Sequence, residues 1–421
     1  MTAERHDDPA VDLLLQREAV HDVMNRYASG VDKRDMELVA SCFTPDVDAQ
    51  AWGFTNRDDL VQFISGVAAF HTTMHMMGNQ FIDVDGDTAT MTSYAMLTHH
   101  GAQADGTAWE LNLSRNRYVE DLVLGDDGWV IRKRGSEPNY AIRGVDGVAS
   151  QDGDVQWLLD RAALHDLMMQ YAVGIDLREY DRHIRPCFAD VFHAAYGPVE
   201  HTDIDELLTF IKGVEHFEST NHFLGTSLIE IDGDRAAMET YAMITHREGD
   251  GGAQEWMAGG STYRDELARV DGRWVITERG EGARHVGAQP PGRRTSTDPT
   301  VQRLLDRASI HDVVATSALA VDRKDWALLD ACFAKPGAAE DIRAEADQWH
   351  RTFHFLNNQI IELDGDEATV ETYAYITHHD GPDTFASPWA QGARRLVDRL
   401  TLTAAGWRLV DRQVLDNRSA P

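Results

Sequence analysis

Long apolar runs are missing from this chain, and basic residues are scarce. No window approaches ~18 uninterrupted apolar residues, so a transmembrane helix is not expected. Residues 1–12 are polar and acidic without an apolar stretch, which predicts a cytoplasmic protein with no secretory signal. The 39 Lys and Arg stand against 70 Asp and Glu, which gives a net charge of −31. Because such a surface repels phosphates, nucleic acids and anionic membranes are not expected as partners.

Cysteine is nearly absent too. The three cysteines, Cys42, Cys187 and Cys332, lie about one repeat length apart, and each precedes a phenylalanine. An odd number at this spacing is not a disulfide framework. We expect each cysteine to be a small buried residue at the same core position of three repeats.

A threefold internal repeat is the clearest feature that is present. The pattern Leu-Leu-x-Arg-x-x-x-His-Asp occupies residues 14–22, 158–166 and 304–312. It is followed each time by a Tyr-Ala-x-x-Thr-His block and then by a strand containing Trp, in the same order. Small, polar or proline-rich linkers separate the copies. We therefore predict three domains, at residues 1–147, 154–288 and 300–421, with the third shortened; they are called modules 1, 2 and 3 below.

Within each module, helical periodicity gives way to a period of two. Module 1 predicts helices over about residues 11–31, 35–43 and 56–70, and then a meander of strands. An Asp-Gly turn between two strand patterns recurs in every module and predicts a hairpin. The acidic turns lack the other ligand positions of a calcium loop. Helices followed by long antiparallel strands indicate the α+β class.

Four matching positions in each module are candidates for chemistry. They are Tyr27, Asp32, His75 and His99 in module 1, Tyr171, Asp176, His222 and His246 in module 2, and Ser317, Asp322, His354 and His378 in module 3. A carboxylate in an apolar stretch needs a partner. Imidazole is suitable, because the carboxylate fixes its tautomer and leaves the other nitrogen free as a base. The second histidine follows the first by 24 residues in every module (99 − 75, 246 − 222, 378 − 354), which fits one hairpin facing one cavity.

Other interpretations stay open at this point. The aspartate could cap the second helix, and each strand histidine could be a hydrogen-bonded core residue. One Asp and two His could also form a facial metal site, although no His-x-x-x-His spacing supports it. His21, His165 and His311 lie on the first helix next to an aspartate, and we interpret them as structural or interface residues.

These residues resemble the SnoaL-like branch of the NTF2-like superfamily over essentially the whole chain, three times. The resemblance implies three tandem cone-shaped α+β barrels, with helices packed on a curved antiparallel sheet. It also implies that one chain replaces a homotrimer as a pseudo-trimer, either monomeric or in a higher assembly. The site is similar to that of the scytalone dehydratase and bile-acid dehydratase group and of the related dehydrochlorinase.

By that likeness, Asp32 would orient His75, His75 would abstract a proton, and Tyr27 and His99 would bind the leaving or carbonyl oxygen. The matching residues of module 2 would act in the same way. Met74, Met76, Phe223 and Phe355 would form pocket walls. Module 3 has Ser317 in place of the tyrosine and a shorter segment before His354, which predicts an altered or degenerate pocket.

The resulting hypothesis is a cofactor-independent lyase, a dehydratase acting on a hydrophobic cyclic, polyketide-like or steroid-like molecule without a metal. An isomerase or cyclase would use the same residues, and the fold also hosts proteins that only bind small molecules. A small-subunit role beside a dioxygenase is disfavoured by the fused triplication.

Overall fold

The computed structural model describes residues 4–102, 109–135, 144–248, 256–381 and 389–416. Module 1 contains α1 (Pro9–Lys33), α2 (Met36–Ser41), β1 (Phe43–Asp48), α3 (Arg57–Ile64), β2 (Thr72–Asp85), β3 (Thr88–Ala102), β4 (Trp109–Gly125) and β5 (Gly128–Arg134). Module 2 contains α4 (Gly153–Asp176), β6 (Phe188–Tyr196), β7 (Val199–His201), α5 (Ile204–Ile211), β8 (Ser219–Asp232), β9 (Arg235–Arg247), β10 (Trp256–Val270) and β11 (Arg273–Arg279). Module 3 contains α6 (Pro299–Arg323), α7 (Trp326–Cys332), α8 (Glu340–Ala346), β12 (Arg351–Asp364), β13 (Glu367–His379), β14 (Trp389–Thr403) and β15 (Gly406–Asp416).

The predicted α+β class is confirmed, but the sheets are open. Their strand orders are β1-β5-β4-β3-β2, β7-β6-β11-β10-β9-β8 and β12-β13-β14-β15. The pairs β1–β5 and β6–β11 are parallel, so the first two sheets are mixed, whereas the prediction was antiparallel throughout. Within the described residues no sheet closes on itself, because the edge strands β2, β8 and β12 face the neighbouring modules. The predicted barrels are therefore open, curved sheets.

The long first helix of each module begins at a capping aspartate. The side chains of Asp8, Asp152 and Asp298 accept hydrogen bonds from backbone N–H groups of the first turn. Each helix then runs 24 or 25 residues, and its last turn carries the candidate aspartate. Among the described helices, none combines the length and apolar character needed to cross a bilayer.

The predicted Asp-Gly hairpins are confirmed in all three modules. They join β2 to β3, β8 to β9 and β12 to β13. Gly86, Gly233 and Gly365 have φ of 61°, 59° and 60°, which is why glycine suits these turns. The hairpins bring the two candidate histidines of each module onto adjacent strands.

Module 3 is reduced where its sequence is short. A single bridge between Phe333 and Leu409 replaces the β1–β5 type of pairing, so its sheet has four strands. Its helix α8 is seven residues long and has no side-chain cap. The structure thus confirms a shortened module, and whether its pocket is degenerate stays a prediction.

Each module has its own hydrophobic core, and two further clusters join the modules. The three cysteines are buried in the module cores, as predicted. The predicted pocket-wall residues Met74, Met76, Phe223 and Phe355 lie instead in a central cluster shared by all three modules. This prediction was wrong because side chains alternate along a strand, so the neighbours of a strand histidine point to the opposite face.

Ion pairs connect the first helices in a ring. Each pairs an arginine of one module with an aspartate of another: Arg17 with Asp166 at 2.7 Å, Arg161 with Asp312 at 2.7 Å and Arg307 with Asp22 at 3.2 Å. A cavity of about 310 Å³ lies among the three modules and is lined by His21, His165 and His311. These histidines are thus interface residues, as we interpreted them. The domain boundaries themselves stay predictions.

Candidate active site

The structure brings Asp32, from the last turn of α1, against His75 in β2. Asp32 Oδ1 lies 2.6 Å from His75 Nδ1, and Asp32 Oδ2 accepts a hydrogen bond from the His75 backbone N–H at 2.8 Å. The hydroxyl of Thr73 donates to the same carboxylate at 2.9 Å. The two side chains of the Asp–His pair are 4% and 5% exposed. Because the carboxylate holds Nδ1, Nε2 is the nitrogen left for proton transfer.

The same bonds recur in the other modules, and we call each Asp–His pair a dyad. In module 2, Asp176 lies 2.7 Å from His222 Nδ1, 2.9 Å from its backbone nitrogen and 3.0 Å from the Thr220 hydroxyl. In module 3, Asp322 lies 2.6 Å from His354 Nδ1, 2.9 Å from the His354 backbone nitrogen and 2.8 Å from the Thr352 hydroxyl. The dyad is therefore complete in the shortened module as well.

The chain reverses just after each dyad aspartate. The residue two positions later has a positive φ, namely 60° at Arg34, 61° at Arg178 and 54° at Lys324. The cationic side chain of that residue donates to the carbonyl of an aromatic residue at the strand entry: Arg34 to Phe70 at 3.4 Å, Arg178 to Phe217 at 2.6 Å and Lys324 to Trp349 at 2.7 Å. This contact fixes the helix end relative to the strand that carries the first histidine.

The same aromatic residue stacks on the second histidine. The ring centroids are 4.7 Å apart for Phe70 and His99, 4.4 Å for Phe217 and His246, and 4.9 Å for Trp349 and His378. His99 meets His75 edge to face at 5.7 Å, and His246 meets His222 at 6.3 Å. The second histidine thus lies over the dyad of modules 1 and 2.

The second histidines of modules 2 and 3 are neutral at neutral pH. Burial and the neighbouring His222 lower the pKa of His246. Burial and His354 lower the pKa of His378 to about 4. Such an imidazole can donate or accept a hydrogen bond but does not supply a positive charge near pH 7.

The predicted tyrosines lie at a separate contact, against a buried arginine. The Arg134 guanidinium carbon is 4.2 Å from the ring centroid of Tyr27, and that of Arg279 is 4.1 Å from Tyr171. In module 3, Arg412 donates to the Ser317 hydroxyl at 2.9 Å, so serine occupies the tyrosine position. Burial raises the pKa of Tyr27, which keeps its phenol protonated.

In module 2 a second tyrosine joins this contact to the dyad. The ring of Tyr263 lies 5.7 Å from that of Tyr171. Burial raises the pKa of Tyr263, and the Asp176 carboxylate is close enough to raise it further. The tyrosine contact and the dyad are therefore within electrostatic reach of each other.

The buried arginines lie at the candidate sites, and the sequence reasoning missed them. Each pairs with one carboxylate: Arg134 with Glu120 at 2.8 Å, Arg279 with Asp265 at 2.6 Å and Arg412 with Asp398 at 2.7 Å. A signal was present, because each arginine follows the strand tryptophan of its module by five residues (134 − 129, 279 − 274, 412 − 407).

Two further observations concern ligands. Across the described ranges, no cluster of three or more His, Cys, Asp or Glu side chains has an arrangement suited to a metal ion. The cavity among the modules contains none of the dyad side chains, so it is distinct from the three candidate sites.

Comparison with known proteins places these observations in a family. The SnoaL-like domain family matches residues 12–135, 156–280 and 302–413, one match in each module. Uncharacterized protein Rv2910c of Mycobacterium tuberculosis is 29% identical over 126 residues, which is 29% of this chain and 84% of that protein. Uncharacterized protein Mb2934c of Mycobacterium bovis matches with the same identity and coverage.

Single modules also resemble solved structures. A putative scytalone dehydratase of Novosphingobium aromaticivorans is 21% identical, with 29% of this chain and 82% of that chain covered and a TM-score of 0.27. A hexachlorocyclohexane dehydrochlorinase of Novosphingobium barchaimii is 19% identical, with 30% and 87% covered and a TM-score of 0.27.

Proposed function

The chain belongs to the SnoaL-like domain family in three tandem copies, and from this premise we propose that it is a cofactor-independent lyase. Its reaction would be the dehydration of a hydrophobic cyclic molecule that carries a hydroxyl group β to a carbonyl. The recurring dyad is the observation that carries the proposal. Three separate stretches of sequence hold an imidazole against a carboxylate at 2.6–2.7 Å with the same supporting bonds.

A buried imidazole paired with a carboxylate is suited to abstract a proton. Asp32 holds Nδ1 of His75, so Nε2 would take the proton from the carbon next to the substrate carbonyl. The electron pair of that C–H bond forms the new double bond as the C–O bond breaks. The hydroxyl group leaves as water with a proton returned by the imidazolium. The carboxylate stabilises the imidazolium between the two transfers.

The remaining groups would bind the two oxygens. His99, which meets His75 edge to face at 5.7 Å, would hold the oxygen nearer the dyad. Tyr27 is a protonated phenol beside Arg134, and it would donate to the other oxygen. Donors fixed in a site that excludes water stabilise developing negative charge strongly. Low exposure of the dyad, 4–5% in module 1, supports such a site.

The test uses the full chain and three β-hydroxyketones as probes: a β-hydroxycyclohexanone, a β-hydroxytetralone and a steroid with the same group. Loss of water from the tetralone gives a fluorescent naphthol. We expect turnover of at least one probe. The triple variant His75→Ala, His222→Ala and His354→Ala should lower kcat by on the order of a hundredfold or more, the usual contribution of a general base.

A matched control is available in module 2. His193 is also paired with a carboxylate, at 2.7 Å from Glu278, but its side chain is 35% exposed. The variant His193→Ala should keep full activity. Unchanged turnover in the triple variant, or no turnover of any probe, would contradict the proposal.

The isomerase alternative is separated by running the same reactions in D₂O. Exchange of the proton next to the carbonyl without release of water would support an isomerase with the same dyads. Binding of the probes without exchange or water loss would support a protein that only binds small molecules.

A further inference from the structure

The first histidine of every dyad lies on an edge strand. The strands β2, β8 and β12 each lie at one end of their sheet's strand order, so one side of each strand has no partner within its own sheet. On such an edge, the N–H and C=O groups of alternate residues point away from the sheet and need other partners. At His222 the outward N–H is bonded to Asp176 at 2.9 Å. The carbonyl of His222 points the same way.

A side chain of module 1 bonds that carbonyl. Asn79 Nδ2 donates to the His222 carbonyl at 2.8 Å, and Asn79 Oδ1 accepts from the Leu224 N–H at 2.6 Å. Asn79 is 2% exposed. Both outward groups of the His222 backbone are therefore bonded, one by its own module and one by the preceding module.

Module 3 makes the same contact with module 1. Asn358 Nδ2 donates to the His75 carbonyl at 3.3 Å, and its Oδ1 accepts from the Met77 N–H at 3.1 Å. Asn358 and Asn79 each follow the dyad histidine of their own module by four residues. At the same position module 2 has Thr226, whose hydroxyl donates to the Leu356 carbonyl of module 3 at 3.2 Å.

In modules 2 and 3, a tyrosine on the strand next to the edge strand interacts electrostatically with the same neighbouring module. Tyr373, in β13 of module 3, is buried, and its burial and the Asp32 carboxylate of module 1 raise its pKa well above the usual value. Tyr241, in β9 of module 2, has its pKa raised by burial and by Asp322 of module 3. The charge of a dyad carboxylate thus acts on each phenol, and this carboxylate belongs to the module that the tyrosine's own module also contacts through the edge strand.

We propose that each dyad is positioned by another module in a fixed cyclic order: module 3 positions module 1, module 1 positions module 2, and module 2 positions module 3. The asparagines and tyrosines are positioning residues, because they act through the dyad. This inference rests on the proposed function in one respect, since the dyads are taken as the groups that transfer protons. It predicts that no module is active alone and that module 3, held by a threonine with a single donor, has the least fixed dyad.

The first test needs no substrate. In the full chain labelled with ¹⁵N-histidine, the Nδ1 protons of His75 and His222 are observed by NMR and their exchange with water is timed. We expect Asn358→Ala to speed exchange at His75 by roughly tenfold, the effect of losing about one hydrogen bond, with His222 unchanged. Asn79→Ala should do the reverse. Each variant is the matched control of the other.

A third variant tests whether the changes come only from a general disruption of the interface. Tyr373→Phe removes only a hydroxyl group, so the fold should be retained. It should shift the Nδ1 proton of His75, beside Asp32, and leave that of His222 in place. Equal changes at both histidines in all three variants, or no change at either, would overturn the cyclic order.

The activity assay then asks whether the order matters for turnover. With His75→Ala and His354→Ala in place, only module 2 keeps its dyad. Adding Asn79→Ala should lower kcat roughly tenfold with little change in KM, whereas adding Asn358→Ala should have no such effect. Equal loss with both would contradict the proposal. If no probe is turned over at all, the NMR result still decides the positioning, so the two proposals fail separately.

Discussion

At the scale of single residues, each module encloses an arginine matched by one carboxylate, and in modules 1 and 2 aromatic rings cover the guanidinium. Arg134 and Glu120 are both fully buried, and the rings of Tyr27 and Phe43 lie 4.2 Å and 4.8 Å from the guanidinium carbon. Moving two charges out of water costs several kcal/mol for each ion. The pair is therefore tolerated only while both members are present, and its location beside Tyr27 gives a reason other than stability for keeping it.

Removing one member should be far more damaging than removing both. We expect Arg134→Met to lower the free energy of unfolding of module 1 by roughly 3–5 kcal/mol, because Glu120 is left as an uncompensated buried charge. Adding Glu120→Gln should restore a large part of that loss. Hydrogen exchange of β4 and β5 peptides, followed in urea by mass spectrometry, reports on this module alone.

An exposed ion pair provides the control. Arg5 pairs with Asp12 at 2.8 Å, but its side chain is 39% exposed. Arg5→Met should change the unfolding free energy by less than about 1 kcal/mol. A similar loss for both arginines would show that burial does not set the cost.

The sequence predicted part of this site at the residue scale. The dyad residues recur at fixed places in three copies. This repetition distinguished them from ordinary surface aspartates and core histidines. The strand neighbours of the histidines were placed on the wrong face, because the alternation of side chains was not applied. The asparagine contacts were beyond prediction, since they depend on how two modules approach each other.

At the scale of elements, the strands that carry the dyad histidines approach each other closely at the centre of the molecule. A side chain added at Gly78 would place its Cβ 2.6 Å from the Leu224 carbonyl oxygen, and one at Gly225 would meet the Leu356 carbonyl at 2.7 Å. Module 3 has Asn357 at the matching position. Two of the three strand contacts therefore require a residue without a Cβ.

A methyl group at the first of these contacts should separate two strands. We expect Gly78→Ala to destabilise the interface between modules 1 and 2 by roughly 1–3 kcal/mol, because the clash is with backbone that cannot rotate away. Calorimetry should show a melting transition lowered by several degrees. The control is Gly66→Ala, since a Cβ there meets nothing within 4 Å. Equal melting temperatures for the two variants would argue against a tight contact.

Element order was largely predictable, and sheet edges were not. The hairpins followed from Asp-Gly turns because these have a strong local preference. The short strand β1 was not predicted, since Phe43–Asp48 has no alternating pattern, and its first residue was assigned to the second helix. It pairs parallel with β5 at the far end of the module in sequence. Such a long-range pairing leaves little local signal in the chain.

At the scale of the whole molecule, fusion of the modules frees each one to diverge. A homotrimer has three identical interfaces, whereas here the same position carries Asn79, Thr226 or Asn358. The ring of ion pairs between first helices is nonetheless kept in all three interfaces. The recurring ion pairs would hold the three modules together. The different strand contacts would allow the three sites to differ.

A histidine near this ring of ion pairs should make the stability of the assembly decrease at acidic pH. Burial and the nearby Arg161 lower the pKa of His165 to about 3, from 6.5 in the unfolded chain. Between these values the unfolded state binds a proton that the folded state does not, so stability falls as the pH decreases from about 6.5. Because His165 is only partly buried, we expect a loss of roughly 1–2 kcal/mol by pH 4.5 rather than the full shift.

The measurement is urea unfolding of the full chain at pH 7 and pH 4.5, compared with His165→Gln, which keeps a neutral polar group at this position. The variant should lose less stability on acidification than the parent. His193 provides a control of opposite sign, because the hydrogen bond that it donates to the Glu278 carboxylate raises its pKa. A raised pKa stabilises the fold at low pH, and this contribution disappears as the pH rises through the folded value. His193→Gln should therefore lose more stability than the parent at pH 4.5. If His165→Gln and His193→Gln shifted the acid response in the same direction, the His165 imidazole would not be the cause.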